Sequence, residues 1–298
     1  MKILVTGCNG LLGQKLVKKL CSDNAFKVIA TARAAGNALP ADTPFYQLDI
    51  TRPAQVNEVI TGTRPDIVIN TAAATNVDWC EQNQEACTLV NTTAVQYLVE
   101  ACNKTGSHFI QLSTDFIFDG TKALLTEEDK PGPINHYGLT KLQAEQHIQR
   151  QSASWCIIRT VIVYGVASGI NRSNIVLWVK SSLEAGNPIR VVNDQWRTPT
   201  LAEDLALGCY LAAKKKATGI FHISGKDFLT PYDIAIRTAD FFGLNKSLIS
   251  PTTSEVFQQP ARRPLKTGFS IEKANRRLGY SPHSFEQGLA IIKTQLQS

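Results

Sequence analysis

Four side chains of this sequence have the types and spacing of a proton-transfer site. Tyr137 and Lys141 stand four residues apart in HYGLTKLQAEQ (136–146), so on a helix they share a face. Ser113 and Thr114 close the run HFIQLST (108–114), which reads as a strand with its hydroxyls at the end. A tyrosine hydroxyl titrates near pH 10 and is a poor acid or base at neutrality. Lowering it by about three units takes roughly 4 kcal/mol of preference for the phenolate. One cation at about 4 Å, in an effective dielectric of about 20, supplies that much. Lys141 is therefore expected to activate Tyr137, while Thr114 holds a carbonyl or alcohol oxygen beside it. The same tyrosine–lysine spacing also describes a plain amphipathic helix, so the assignment depends on what else reaches the same place.

The second component is TGCNGLLG, Thr6 to Gly13, with glycines at 7, 10 and 13. It lies between the strand KILVT (2–6) and a helix from Leu11 to Leu20. Glycines there allow a tight turn and close approach of a pyrophosphate, and the helix start offers free N–H groups. The strand–turn–helix context separates this from an arbitrary glycine pattern. With Tyr137 and Lys141 it points to hydride transfer to or from a nicotinamide, Tyr137 giving or taking the hydroxyl proton. Preference for NAD usually needs a carboxylate about 20 residues on. The sequence has no Asp or Glu from 24 to 41 and places Arg33 after the second strand. Arg33 could pair with a 2′-phosphate, so NADP(H) is expected ahead of NAD(H). Arg33 as a solvated loop residue is the alternative. Asp49 in FYQLDI (45–50) could reach an adenine amino group or cap the next helix.

These groups need a frame. Short β-branched runs at 2–6, 27–32, 45–50, 66–73, 108–114 and 156–165 alternate with helical patterns, including one at 81–104. Pro53 sits where a helix opens. Continuous apolar strands separated by helices imply α/β architecture: a doubly wound parallel sheet of the Rossmann type covered on both faces. After Gly165 the rhythm changes. A polar stretch at 166–174, a helix through about 185, a strand at 189–192 and the loop NDQWRTPT lead to helix 202–213 and strand 219–224. The expected division is a dinucleotide-binding domain over 1–165, rejoined by 200–225. A smaller, C-terminal substrate lobe would comprise 166–199 and 226–298, including QQPARRP at 258–264.

Composition narrows the class. Hydrophobic residues make 43% and charged residues 19% of the 298, as in ordinary globular proteins. The net charge of +6 is spread out, and its one compact run, Lys214–Lys216, suits a helix C-terminus. Nucleic-acid binding therefore gains no support. Seven cysteines, an odd number without a CxxC, suggest reduced buried thiols. No cluster has metal-ligand spacing, no apolar run is long enough for a membrane span, and no leader precedes the first strand. A cytoplasmic location without membrane attachment is the expectation.

Taken in order, TGCNGLLG, LDIT (48–51), NTAAATNVD (70–78), STDFIFDG (113–120), YGLTK (137–141), RTVIVYG (159–165), DQWRTPT (194–200) and RRPLKTGFSIEKANRRLGY (262–280) resemble the extended short-chain dehydrogenase/reductases. Within them, the dTDP-4-dehydrorhamnose reductase branch is most similar, across nearly the whole chain. The resemblance implies reduction of a 4-keto nucleotide sugar, as in dTDP-rhamnose biosynthesis, with Thr114, Tyr137 and Lys141 catalytic. It implies cofactor contacts from Gly7, Asn9, Gly10, Leu11, Leu12, Gly13, Asp49, Ile50, Ala72, Ala73, Thr75, Tyr137 and Lys141, with Arg33 as above. Thr114, Asp115, Asn174, Trp196 and Arg263 would meet substrate, Arg263 as a planar cation for the diphosphate, although it could be a surface arginine. Asn91 matches a mainly structural position, and homodimers are frequent among such proteins. Departures bear on the sugar. Ile162 stands where the branch usually has a tryptophan, Trp196 and Arg197 where glycine is usual, and Phe116 for a frequent tyrosine. Trp178 and Trp196 could instead pack the lobe. Two other readings stand: a nucleotide-sugar epimerase, and a non-catalytic NADP-binding regulator similar to the methionine adenosyltransferase β subunit.

Overall fold

The computed structural model describes residues 1–36, 38–169, 173–257 and 259–297. Residues 170–172 of the polar stretch and Gln258 of QQPARRP lie outside the described residues. In the N-terminal half β1 (Lys2–Thr6), β2 (Lys27–Ala32), β3 (Phe45–Gln47), β4 (Ile67–Asn70), β5 (His108–Thr114) and β6 (Trp155–Thr160) alternate with helices. These are α1 (Leu11–Cys21), α2 (Pro53–Thr63), α3 (Val77–Gln82), α4 (Gln84–Thr88), α5 (Ala94–Thr105) and α6 (His136–Gln151). The second half carries β7 (Val163–Tyr164), α7 (Ile175–Glu184), β8 (Ile189–Val192), β9 (Thr200–Leu201), α8 (Ala202–Lys214) and β10 (Gly219–His222). It ends with α9 (Pro231–Phe242), β11 (Ile249–Thr252), α10 (Glu272–Leu278) and α11 (Phe285–Gln297).

Seven strands form one parallel sheet in the order β10-β6-β5-β4-β1-β2-β3. The chain starts in the middle and winds out both ways, so the strand order reverses between β1 and β4, which pair Thr6 with Asn70. Ligands of such sheets bind beyond the carboxyl ends of the strands at this switch point. Helices cover both faces because the strands are apolar on both. Leu16, Val17 and Leu20 of α1 and Cys209, Ala212 and Ala213 of α8 close one face. Val56 and Ile60 of α2, Leu98 and Val99 of α5, and Ala144 and Ile148 of α6 close the other. Each fully buried Leu, Ile or Val there contributes about 1.5–3 kcal/mol. The remaining segments pack separately, with α7, α9 and α11 around Val176, Ile234 and Leu289 and against paired β8 and β11.

Two elements differ from the sequence expectation. The run 156–165 is not one strand. The ladder stops at Thr160, Ile162 takes a positive φ of 21°, and Val163–Tyr164 pair with Thr200–Leu201 instead. Periodicity misses this break because both halves are β-branched. The single helix expected over 81–104 is three pieces joined at Asn83 and by a π-turn, Leu89–Thr93. Inside that turn Asn91 accepts the Ala74 amide (2.9 Å) and donates to the Ala74 carbonyl (3.0 Å). Such π-turns occur mostly as single-turn bulges inside α-helices, frequently at functional sites.

Candidate active site

A cavity of about 780 Å³ opens at the carboxyl ends of the strands, within the size range of ligand sites. Gly10, Leu11, Leu12 and Gly13 form one wall. Gly10 caps α1 without a side chain, and the first turn holds no acid. The N–H groups of that turn have no helical carbonyl to bond. A Cβ on Gly13 would stand 2.2 Å from the Gly7 carbonyl oxygen, and one on Gly7, at φ +67°, 2.9 Å from Ala72 N. The loop is thus a backbone cradle that side chains would fill, and it fits a dinucleotide pyrophosphate. Gly7, Asn9 and Ala72 shape this wall from behind, Asn9 by donating to the Ala34 carbonyl (2.8 Å). Ala73 and Thr75 line the cavity next to it.

Arg33 is exposed just past β2. Asp49 accepts from the amide (3.0 Å) and hydroxyl (2.7 Å) of Thr51 at the entry to α2. Burial works to raise its pKa, but Thr51, Arg33 and Arg52 outweigh it and hold the carboxyl below the ordinary value. Its carboxylate thus serves the turn before the helix. Ile50 belongs to the core beneath α2.

Thr114 ends β5, and Tyr137 and Lys141 come from the first turns of α6; all three line the cavity. Asn135 caps α6 by accepting from Gly138 N (2.8 Å). Gly138 lets the helix approach, since a Cβ there would lie 2.0 Å from the Phe116 carbonyl oxygen. Underneath, Arg159 of β6 pairs with Glu145 of α6 (2.7 Å) in a fully buried bridge. The helix is therefore fixed in rotation as well as position.

Tyr137 is 8% and Lys141 3% exposed, and electrostatics here differ from the expectation. Burial pushes the Tyr137 phenol well above its ordinary value; the Thr114 hydrogen bond opposes this, and Asp115, Cys80 and Cys87 add to it. Burial lowers Lys141 to about 8, with Glu145 the main opposing influence. The Lys141 ammonium donates to the Leu112 carbonyl (2.6 Å). The expected lowering of the Tyr137 pKa by Lys141 is thus corrected: desolvation of the buried ring outweighs the Thr114 hydrogen bond, and the Asp115 charge adds to the rise. Tyr137 stays protonated, the state a proton donor requires.

The other candidate substrate residues meet different fates. Asp115 is buried at the cavity, its carboxylate accepting from Thr114 (3.1 Å) and Thr267 and facing Arg197 (3.7 Å). Burial raises its pKa against those partners. Asn174 lines the cavity and caps α7, accepting from Leu177 N (3.3 Å) and donating to Gly165 O (2.7 Å). Trp196 lies outside the cavity wall, stacked on Phe228 at 5.2 Å, which matches the packing alternative. Arg263 lines the cavity but forks onto Asp78, with both bonds at 2.6 Å.

Of the other cavity residues, the sequence reading named Arg197 and Trp178 only as a departure and a packing candidate, and it did not name Phe257 or Arg190. Arg197 is buried, pairs with Asp115 and donates to the carbonyls of Pro264 (2.7 Å) and Leu265 (3.1 Å). Trp178 and Phe257 line the mouth while 38% and 45% exposed. Arg190 of β8 and Gln195 complete that side. The alternation of IRVV put Arg190 on the outer face, but nothing local showed which surface that face meets. Ser113, named only as an alternative to Thr114, has a buried hydroxyl without a partner among the described residues. Among those residues no group of His, Cys, Asp and Glu is placed to hold a metal, and no helix is long and apolar enough to cross a membrane.

Comparison with known proteins agrees with this geometry. The model of the RmlD substrate binding domain family matches residues 1–298. A probable low-salt glycan biosynthesis reductase, Agl14, of Haloferax volcanii is 33% identical over 98% of this chain and 97% of its own. Methionine adenosyltransferase 2 subunit beta of Xenopus laevis is 29% identical over 85% and 76%. Among solved structures, a dTDP-4-dehydrorhamnose reductase from Clostridium acetobutylicum superposes with a TM-score of 0.89 at 31% identity, covering 100% of both chains. That of Bacillus anthracis, in complex with NADP, gives 0.84 at 26% over 99% of each.

Proposed function

The chain belongs to the RmlD substrate binding domain family, and from that premise we propose that it is an NADP(H)-dependent reductase of a 4-keto nucleotide sugar. Membership supports a nucleotide-sugar oxidoreductase with a nicotinamide cofactor; the 4-keto sugar and the preference for NADP(H) are this reading's own. The observation that carries it is the cavity wall that Tyr137 shares with Thr114, Lys141 and the glycine loop.

When bound, the nicotinamide supplies the hydride. The first turn of α1 and the cradle at Gly7–Gly13 hold the pyrophosphate. Thr114 and the unpartnered Ser113 hydroxyl are placed to hold the substrate oxygen, and Tyr137 gives it a proton as negative charge develops. An alkoxide is far more basic than a phenolate, so even a raised tyrosine pKa leaves this transfer downhill. Lys141, as a cation beside the phenolate that results, favours the proton leaving. Arg33, exposed just past β2, would meet the 2′-phosphate. Substitution of Ile162 and Arg197 at positions facing the sugar side supports a sugar other than that of the usual rhamnose-pathway enzymes.

NADPH oxidation over a panel of dTDP-, UDP- and GDP-linked 4-keto sugars tests the reading. Turnover is expected with at least one of them, and Tyr137→Phe should lower it by about 10²–10⁴-fold. NADPH binding without turnover on any sugar would instead support the regulatory reading, which draws on the methionine adenosyltransferase β relative. An epimerase would interconvert sugars with no net NADPH consumption, so the same assay separates it.

A further inference from the structure

Two thiols that the proposed reaction does not use lie directly behind Tyr137. Cys80 of α3 and Cys87 of α4 are both fully buried and pack with Tyr137 as one cluster. They meet across the break between the two helices, with a thiol hydrogen bond from one to the other. Both sulfurs also share one polar hub. Cys80 donates to the Ala74 carbonyl at 3.6 Å, and Asn91 donates to that same carbonyl at 3.0 Å and to the Cys87 sulfur at 3.3 Å. The Thr140 hydroxyl contacts Cys87 at 3.6 Å and donates to the Tyr137 carbonyl at 2.8 Å.

The surroundings of Cys87 favour its thiolate. Its pKa falls to about 7, chiefly through the Cys80 bond, with burial opposing and Thr140, Asn91 and the Lys141 charge assisting. Other buried cysteines go the other way: burial raises Cys8 to about 11, Cys156 to about 12, and Cys102 and Cys209 further. Thiolate character sets reactivity. Val77, Phe116 and Tyr137 pack against the thiols and also line the cavity.

We propose that Cys87 and Cys80 form a peroxide-reactive pair whose closure to a disulfide weakens the cofactor site. The Cys87 thiolate attacks a hydroperoxide; an S–O bond forms, the O–O bond breaks, and an alcohol or water leaves with a proton. The Cys80 thiol then attacks the sulfenic sulfur, the S–S bond forms, and the hydroxyl leaves as water with the Cys80 proton. Two thiols and one hydroperoxide give a disulfide, an alcohol or water, and one more water. Drawing the sulfurs from contact to about 2.05 Å removes the bonds to Ala74, Asn91 and Thr140. Ala74 lies between Ala73 and Thr75 of the cofactor wall, and Thr140 holds the first turn of α6.

The test treats the whole purified chain with hydrogen peroxide, maps disulfides by peptide mass spectrometry, and follows NADPH binding by fluorescence. A Cys80–Cys87 disulfide is expected, with NADPH binding about tenfold weaker, of the size of an ordinary coupling between sites, and restored by dithiothreitol. Cys80→Ser and Cys87→Ser, which keep a hydrogen-bonding group at each position, should each bind NADPH as the reduced wild type does and lose the peroxide response. Peroxide treatment that leaves this pair unlinked overturns the proposal, as does a mapped disulfide with unchanged NADPH affinity. The mapping is made on wild-type protein and needs no substrate, so it stands whether or not a sugar is turned over.

Discussion

The two sides of the cavity are built from different materials. The side proposed for the cofactor is mostly backbone: Gly7–Gly13, the shelf at Ala72–Thr75 and the end of β5, all within the first 114 residues and all after strand ends. The opposite side is made of side chains brought from far apart. Arg197 meets Asp115, and Arg263 reaches Asp78 across 185 residues of chain. A pyrophosphate and ribose are the same in every dinucleotide, so main-chain N–H groups at a helix start are enough to receive them. A sugar and its base vary, and only side chains can vary with them. The substrate side is consequently where charge is spent on holding loops together, and where a substitution changes stability as well as recognition.

The largest effect should therefore come from the substrate side. Arg197→Met removes one partner of a buried pair and strands Asp115, a loss of about 3–5 kcal/mol in urea unfolding. Adding Asp115→Leu should recover much of that loss, since an apolar pair replaces a desolvated one. NADPH affinity should hardly change in either. A parallel fall in NADPH binding would mean that the two sides do not divide the work as described.

The next effect runs the other way and concerns Lys141. Its pKa of about 8 in the folded protein lies below the ordinary 10.5. Between those values the unfolded chain binds more protons, so this group makes stability rise with pH across that window and contributes a constant penalty below it. Lys141→Met should thus be more stable than wild type at pH 7, by about 3 kcal/mol at most. The advantage should shrink from pH 8 towards 10.5. An advantage that is absent at pH 7, or that grows with pH, would show that the buried cation is not under strain. A destabilising charge retained at a catalytic wall is a familiar trade of stability for activity.

Gly13→Ala comes third. Its Cβ would face Gly7 O at 2.2 Å and the Cys8 Cα at 2.7 Å, backbone atoms that move only by opening the loop. Overpacking of this kind costs about 1–3 kcal/mol, and NADPH binding should fall more than melting does. Equal falls would make the glycine a packing residue rather than part of a phosphate cradle.

The same contrast explains what could be read from the sequence. The seven-stranded sheet and the glycine cradle follow from short contiguous patterns whose meaning is local. Tyr137, Lys141 and Thr114 could be joined because each sits at a fixed place on its own element. The protonation of Tyr137 was misjudged because spacing gives proximity but not burial, and burial decided the sign. The π-turn at Leu89–Thr93 and the break at Ile162 depend on Asn91 reaching Ala74 and on β9 pairing with β7, which no window of sequence contains. Phe257 and Arg190 went unread, and the surroundings of Arg197 and Trp178 unseen, for the same reason. Their surroundings exist only after the lobe has folded against the sheet.

The smallest effect tests an exposed side chain on the side proposed for the cofactor. Arg33 is exposed beyond β2, with Asp49 close enough to feel its charge. An exposed arginine has no buried partner to strand, so Arg33→Ala should leave unfolding unchanged. If Arg33 meets a 2′-phosphate, NADPH affinity should drop about tenfold, while NADH affinity stays the same or improves slightly. The ratio of the two dissociation constants is the informative quantity, because general damage to the site would lower both. The slope of NADPH affinity against salt should also flatten, since one exposed charge pair has been removed from binding. A ratio that does not move would return cofactor choice to the backbone and make this wall uniform in kind.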